Sequence, residues 1–301
     1  MRYKFQRKIT LHKAEPYLWL SPSMILFLIF LMYPIIFSFI LSFFNWRGYS
    51  LEIFKDFTGL QNYIKLAGDQ IYWTAMRNTF FLVLTVVFVQ NGIAFFLALV
   101  IYFGSFKYGN FIRALIFLPG VISAIVIGLV FRKFFELTGP VNVLLQSIGL
   151  EQLAIPWLTN TNLTIWIVSF VTTWQWVGYN LLIFYAGLQS IDHSLLEAAF
   201  IDGANLQSAI FKIVIPLMKP VIFLSAVLNF IGGFRVYDII WAMTRGGPVH
   251  SSEVLTTYMY YQSFQSGGPS NMGYASTISV TLTIIVMIFA FIRIKFFSKE
   301  T

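Results

Sequence analysis

Six stretches of this chain are predominantly apolar over more than twenty residues each: Trp19 to Phe44, Thr79 to Phe103, Phe111 to Phe131, Leu163 to Leu188, Leu217 to Met243 and Tyr274 to Phe297. A helix needs roughly 20 such residues to cross a hydrocarbon core of about 30 Å, and lipid offers the backbone no hydrogen-bond partner, so only a self-satisfied helix suits them. The expectation is an all-α integral membrane protein of six transmembrane helices. No Pro/Gly/Ser-rich linker and no internal repeat divides the chain, which therefore reads as a single membrane domain over residues 1–301. Only 11% of the residues are charged, against about 25% in soluble domains. So few charges cannot cover a surface while 33 Phe, 15 Tyr and 8 Trp are hidden from water. The first stretch exceeds the 7 to 15 residues of a signal-peptide core and lacks a small-residue cleavage site, so it is read as a retained span, kinked at Pro34.

Orientation follows from the basic residues. An even number of spans puts both termini on one face, together with residues 104–110, Arg113 and the segment 189–220, and twelve of the twenty Lys and Arg fall there. Seven fall on the other face (Arg47, Lys55, Lys65, Arg77, Arg132, Lys133 and Arg245), and Arg235 lies within a span. Both termini are thus assigned to the cytoplasm, with Arg132 and Lys133 against the trend. The net charge of +8 is scattered over segment ends, which excludes a nucleic-acid partner. With no Cys and only His12, His193 and His250, a disulfide framework, thiolate-ligated metals and a His-rich metal site are excluded as well. No phosphate loop, GxGxxG, GxSxG or HExxH signature is present, so energy for any driven process must come from a partner or an ion gradient.

The segment DHSLLEAAFIDGANLQSAIFKIVIPLMKP, Asp192 to Pro220, carries the most information. Ser194 and Glu197 form a capping box that starts a short helix, and Asp202-Gly203 stops it, because glycine tolerates the positive φ of a helix terminus. A second helix follows, with Leu206, Ala209, Ile210, Ile213 and Val214 on one face, ending or kinking at Pro216. The product is a helix-turn-helix bracket on the cytoplasmic surface at about residues 190–220. Read alone, it is either an interfacial amphipathic hairpin or a docking element.

EAA-x-x-DGA at Glu197 to Ala204, followed by Ile213, Pro216 and Pro220, resembles the EAA loop of ABC importer permease subunits, the inner-membrane components of binding-protein-dependent transport systems. Ile210 stands where that family usually has Phe, with Phe211 beside it. PYLWLSPSMILFLIFLMYPIIFSFILSFFNW (Pro16 to Trp46), FTGLQNYIKL (Phe57 to Leu66), RALIFLP (Arg113 to Pro119) and FRVYDIIWAMTRGGP (Phe234 to Pro248) resemble its carbohydrate-importing members in the same order. The resemblance implies the type I permease fold. It also implies a second homologous permease subunit, two ATP-binding subunits, an extracytoplasmic sugar-binding protein and a carbohydrate substrate, in a bacterial cell membrane. It implies no enzyme activity and no cofactor on this chain, ATP and Mg being held by the ATPase partners. Glu197, Ala198, Ala199, Asp202, Gly203 and Ala204 would then be the ATPase-coupling residues, and Gly246, Gly247 and Pro248, otherwise a tight turn, part of the surface that receives the binding protein.

Inside the membrane, ionisable groups tend to face a bundle interior or a water-filled cavity. Arg235 and Asp238, three apart on one helix, either pair with each other or contact substrate hydroxyls. Asn229 with Gly232 and Gly233 marks tight packing or a local helix opening. The fourth span offers aromatic faces with polar groups, the combination that sugar recognition uses, and Thr172, Trp176, Tyr179 and Asn180 share one of its faces. These residues, with Asn229, Gly233, Arg235 and Asp238, are the candidate substrate pathway. A gradient-driven secondary sugar transporter is the alternative, and an intramembrane enzyme a weaker one, since no nucleophile-base or metal constellation is visible.

Overall fold

The protein is described by a computed structural model that covers residues 5–48, 54–104, 106–265 and 270–297. Arg2, Lys4 and Lys299, counted above for orientation, lie outside the described residues. No strand is present among the described residues; an isolated bridge between Phe44 and Phe57 is the nearest approach to one. Twelve helices are distinguished here: α1 (Phe5–Phe27, continued through Leu28–Met32 and Tyr33–Leu41), α2 (Gln61–Ala67), α3 (Gln70–Phe103), α4 (Gly109–Val121), α5 (Ala124–Phe134), α6 (Pro140–Ser147), α7 (Thr164–Gln189), α8 (His193–Ile201), α9 (Leu206–Phe234), α10 (Asp238–Met243), α11 (Leu255–Tyr260) and α12 (Met272–Phe297).

Among the described residues, five helices are long and apolar enough to cross a membrane: Glu15–Leu41 of α1, α3, α7, α9 and Met272–Phe291 of α12. The expected third span is instead two helices, α4 and α5, bent by 94° between Val121 and Ala124, and a sixth span exists only if that pair counts as one. Pro119 lies near the end of α4, and Ile122 takes an extended conformation. The carbonyl of Ile122, exposed by the break, accepts a hydrogen bond from Gln175 Nε2 of α7 at 3.2 Å. The apolar run through Ile122 conceals this break, because hydropathy does not register a change of ψ.

The expected fifth span also shifts. Pro216 does not end the preceding helix; α9 runs unbroken from Leu206, with a π-helical turn at Ile210–Val214 just before the proline. A wider turn loosens the hydrogen-bond ladder where the proline ring and its missing N–H would otherwise clash. The other end comes early, at Phe234, with α10 separate beyond it. In α1 the disturbance near Pro34 likewise takes the form of a π-helical turn, Leu28–Met32.

The described residues cluster into two compact units. One gathers α1, α2 and residues 259–285. Within it Asn62 Nδ2 donates to the carbonyls of Ser42 (2.9 Å) and Phe44 (3.1 Å), and Thr277 Oγ1 donates to Ser42 O, which ties the end of α1 to α2 and to the start of α12. The other gathers residues 69–258 and 286–297 around α7. That helix is the most enclosed of the spans, 61% of its apolar window being buried, and α3 and α4 pack along it. A Cβ on Gly178 of α7 would stand 2.2 Å from the Ile116 carbonyl of α4, so only glycine permits this crossing.

Candidate functional site

Two helix breaks and one π-helical turn meet at a cavity of about 500 Å³ inside the second unit. The break between α4 and α5 contributes Ala124; the break between α9 and α10 contributes Arg235 to Asp238; the π-helical turn Thr85–Gln90 of α3 contributes Val86 and Gln90. Such turns put extra residues on one face and leave carbonyls without their usual partners. Here Asn229 Nδ2 takes the carbonyl of Val86 (3.3 Å) and Asn91 Nδ2 that of Val87 (2.9 Å). Asn91 Oδ1 in turn accepts from Asn180 Nδ2 (3.2 Å), Ser225 Oγ (2.7 Å) and Asn229 Nδ2 (2.9 Å), so one oxygen joins α3, α7 and α9.

All eight residues read from the sequence as a pathway line this cavity, with unequal freedom to act. Trp176 and Tyr179 are exposed into it and stand edge to face, ring centres 6.3 Å apart. Thr172 donates its hydroxyl to Val168 O, and Asn180 is buried with its amide on Asn91, so both belong to the helix packing as well as to the wall. Gly233 is a packing residue, since a Cβ there would stand 3.0 Å from Val83 Cγ2. Both readings of the Asn229 region are therefore met in part, with tight packing at Gly233 and an opening at Arg235.

The expected ion pair is absent. Arg235 caps the end of α9, Asp238 begins α10, and no ion pair joins them among the described residues. The sequence argument assumed a continuous helix, on which residues three apart are neighbours; the break removes that premise. Gln90 and Gln175 were not among the residues read from the sequence as the pathway. Both are buried wall residues whose Oε1 has no partner. Gln90 is brought in by the π-helical turn, which the sequence pattern does not reveal.

At the other end of α7, the cap of α8 is also not the expected one. Asp192, not Ser194, is the N-cap, its carboxylate accepting from Ser194 N at 3.0 Å. This bond holds the Asp192 carboxyl below its ordinary range. Glu197 is exposed and takes no part in a capping box. The end of α8 is as expected: Gly203 has φ +84°, Ala204 N donates to Ala199 O (2.9 Å) and Gly203 N to Phe200 O (3.1 Å), a Schellman closure. Ala198 and Asp202 are exposed as well, and Ala199 and Ala204 half-buried. Glu197 borders a recess of about 430 Å³ with His193, Tyr102, Tyr185 and Phe200.

Beyond α10 the chain makes a tight loop. Gly246 has φ +83°, and a Cβ there would stand 2.4 Å from Glu253 Oε2. Ser252 Oγ donates to Gly247 O (2.6 Å), and Asn78 Nδ2 of α3 donates to the carbonyls of Ser251 and Glu253, both at 2.9 Å. Glu253 is buried beneath the turn, its Oε2 2.8 Å from His250 Nδ1, and burial pushes its carboxyl above the ordinary range. Gly247 and Pro248 border a groove with Arg132, Glu136 and Arg245.

The model of the family described as "Binding-protein-dependent transport system inner membrane component" matches residues 90–297. The chain belongs to that family. It is 36% identical over 288 residues to the probable ABC transporter permease protein YurN of Bacillus subtilis (strain 168), covering 95% of this chain and 97% of the relative. It is 32% identical over 284 residues to the lactose transport system permease protein LacF of Rhizobium radiobacter, covering 94% and 93%. A chain from the crystal structure of a bacterial ABC transporter involved in the import of the acidic polysaccharide alginate shares the fold, with a TM-score of 0.79 at 24% identity over 93% of this chain and 94% of that one. The protein is thus a multi-pass permease subunit of the cell membrane and not an enzyme. Among the described residues, no group of three or more His, Asp or Glu could hold a metal ion in this permease.

Proposed function

We propose that this permease forms, with a second homologous permease, the pathway for a carbohydrate delivered by an extracytoplasmic binding protein, and that two separate ATPase subunits drive it. The observation that carries the substrate class is the cavity wall. The exposed Trp176 and Tyr179 rings can cover the apolar C–H faces of a pyranose, while Gln90, Gln175 and Asn229 offer amides to its hydroxyls. Discontinuous helices around a central site are a recurring transporter device, because they bring free backbone groups to the cargo. The family membership and the lactose transport relative support the same reading.

In this proposal the chain crosses the membrane six times, α4 and α5 counting as one broken span, with both termini cytoplasmic. The elbow of Glu197, Ala198, Ala199, Asp202, Gly203 and Ala204 is the ATPase contact; an exposed carboxylate at the end of a stiffly closed helix suits a cationic or amide partner. The loop at Gly246, Gly247 and Pro248 is the binding-protein contact, and its interlocked hydrogen bonds supply the rigidity that docking needs. The test is uptake of radiolabelled sugars by proteoliposomes holding the complete importer. ATP-dependent uptake that requires the binding protein is expected, whereas uptake abolished by a proton ionophore at constant ATP would establish gradient-driven transport instead. That control matters, because Asp238, without an ion pair among the described residues, lines the cavity.

A further inference from the structure

Beside the main cavity, on the side toward the Gly246 loop, lies a recess of about 180 Å³ between α5 and α10, roughly the room of one sugar ring. Tyr237 and Asp238 wall both this recess and the main cavity, so the two spaces are adjacent. Tyr237 and Trp241, one turn apart on the same side of α10, lie nearly parallel, their ring centres 5.7 Å apart and their planes 16° from each other. They form a flat aromatic step. Arg132, from the last turn of α5, and Arg245, just after α10, border the same recess. Both are exposed, and neither guanidinium has an ion-pair, hydrogen-bond or ring partner among the described residues. Arg235 is likewise without a partner in the adjoining cavity, and the acid common to both spaces is Asp238. Arg132 is also one of the basic residues that run against the charge asymmetry of the chain.

Resting on the carbohydrate reading above, we propose that this recess is a subsite for an acid-bearing sugar ring, and that the cargo is an oligosaccharide containing a uronate. The ring would lie with its C–H face on the Tyr237–Trp241 step, its carboxylate between Arg132 and Arg245, while the rest of the cargo continues past Asp238 into the main cavity. Planar guanidinium groups match a carboxylate with two parallel N–H···O bonds, which a lysine cannot reproduce. A uronate carboxylate would give Arg132 and Arg245 an ionic partner, which a neutral sugar cannot supply. Two adjacent spaces, each walled by aromatic rings, also favour a cargo of more than one ring.

The test uses the complete importer in nanodiscs, titrated with trigalacturonate and with the matching neutral galactotriose, with binding read from tryptophan emission. Trigalacturonate is expected to bind at least ~10-fold more tightly, its affinity falling with salt. The double variant Arg132→Gln/Arg245→Gln should weaken it by ~10- to 100-fold with little change for galactotriose, and Arg132→Lys/Arg245→Lys should recover part of the loss. Equal binding of the two sugars, or equal weakening by the glutamine pair, overturns the subsite. If the glutamine pair instead reduces capture of the binding protein whatever sugar it carries, the arginines are a protein-docking patch and the proposal fails. Failure of every sugar to bind or enter proteoliposomes would sink the carbohydrate reading itself, a result distinct from binding of the neutral sugar alone.

Discussion

At the scale of single residues, Gly203 separates two effects that the sequence motif merges. Its φ of +84° penalises any side chain, whereas a Cβ there would meet nothing within 4 Å in the isolated subunit. A left-handed conformation costs an ordinary L-residue about 1–2 kcal/mol, and Asn or Asp less. Gly203→Asn should therefore leave the permease folded at normal levels in the membrane while cutting ATP-driven uptake severely, because the added atoms fall in the proposed ATPase contact. Normal uptake by a well-inserted Gly203→Asn protein would remove the elbow from the coupling path. Glu253 makes a prediction of a different kind. Burial raises its folded-state pKa above the unfolded value, so the folded state is disfavoured progressively as pH rises from the unfolded pKa through the folded one. Below that window both states are protonated and the effect vanishes. The melting temperature of the wild type should thus fall relative to Glu253→Gln as pH is raised from 4 toward neutrality, a comparison that scanning fluorimetry can make. Gly203 could be read from the motif, since the DGA signature carries its own conformational demand. The burial of Glu253 could not, because it depends on Gly246 seven residues earlier lacking a side chain.

At the scale of elements, the sequence revealed the apolar helices well and their interruptions poorly. Length and hydropathy report which residues prefer lipid, and α3, α7 and α12 fall close to the expected stretches for that reason. The break at Ile122 and the π-helical turn at Thr85–Gln90 leave hydropathy unchanged, so the position of Gln90 in the cavity could not be read. The face of α7 with Thr172, Trp176, Tyr179 and Asn180 was legible, because α7 is regular throughout and three- and four-residue spacing holds. The cap of α8 was misassigned by two residues, since Asp192 and Ser194 are both good capping types and only the backbone decides between them. Asp192→Ala should accordingly reduce protection of the α8 amides in hydrogen exchange, whereas Ser194→Ala should not. The hub at Asn91 joins three elements through one oxygen. Asn91→Ala would leave the polar groups of Asn180, Ser225 and Asn229 without their acceptor, a loss of about 2–5 kcal/mol measurable by thermal unfolding in detergent.

At the scale of the whole molecule, the proposed crossing pattern can be checked directly, because the chain has no native Cys to interfere. Gln146→Cys, in α6, and Gln207→Cys, in the first turn of α9, should react oppositely with a membrane-impermeant maleimide on intact cells, the first labelled and the second silent until the membrane is opened. Labelling of both from outside would overturn the assigned topology. The two broken helices have a further consequence. A Cβ on Gly128 of α5 would lie 2.6 Å from Ala242 Cβ and 3.1 Å from the Ile239 carbonyl of α10, so these short helices are seated against each other almost backbone to backbone. A pair seated so closely is expected to move as a unit when the cavity beside it opens, while the long helices that meet the acyl chains keep their depth. Turnover should then stay nearly constant across phosphatidylcholines of increasing chain length, and a steep dependence would show that the long helices themselves move.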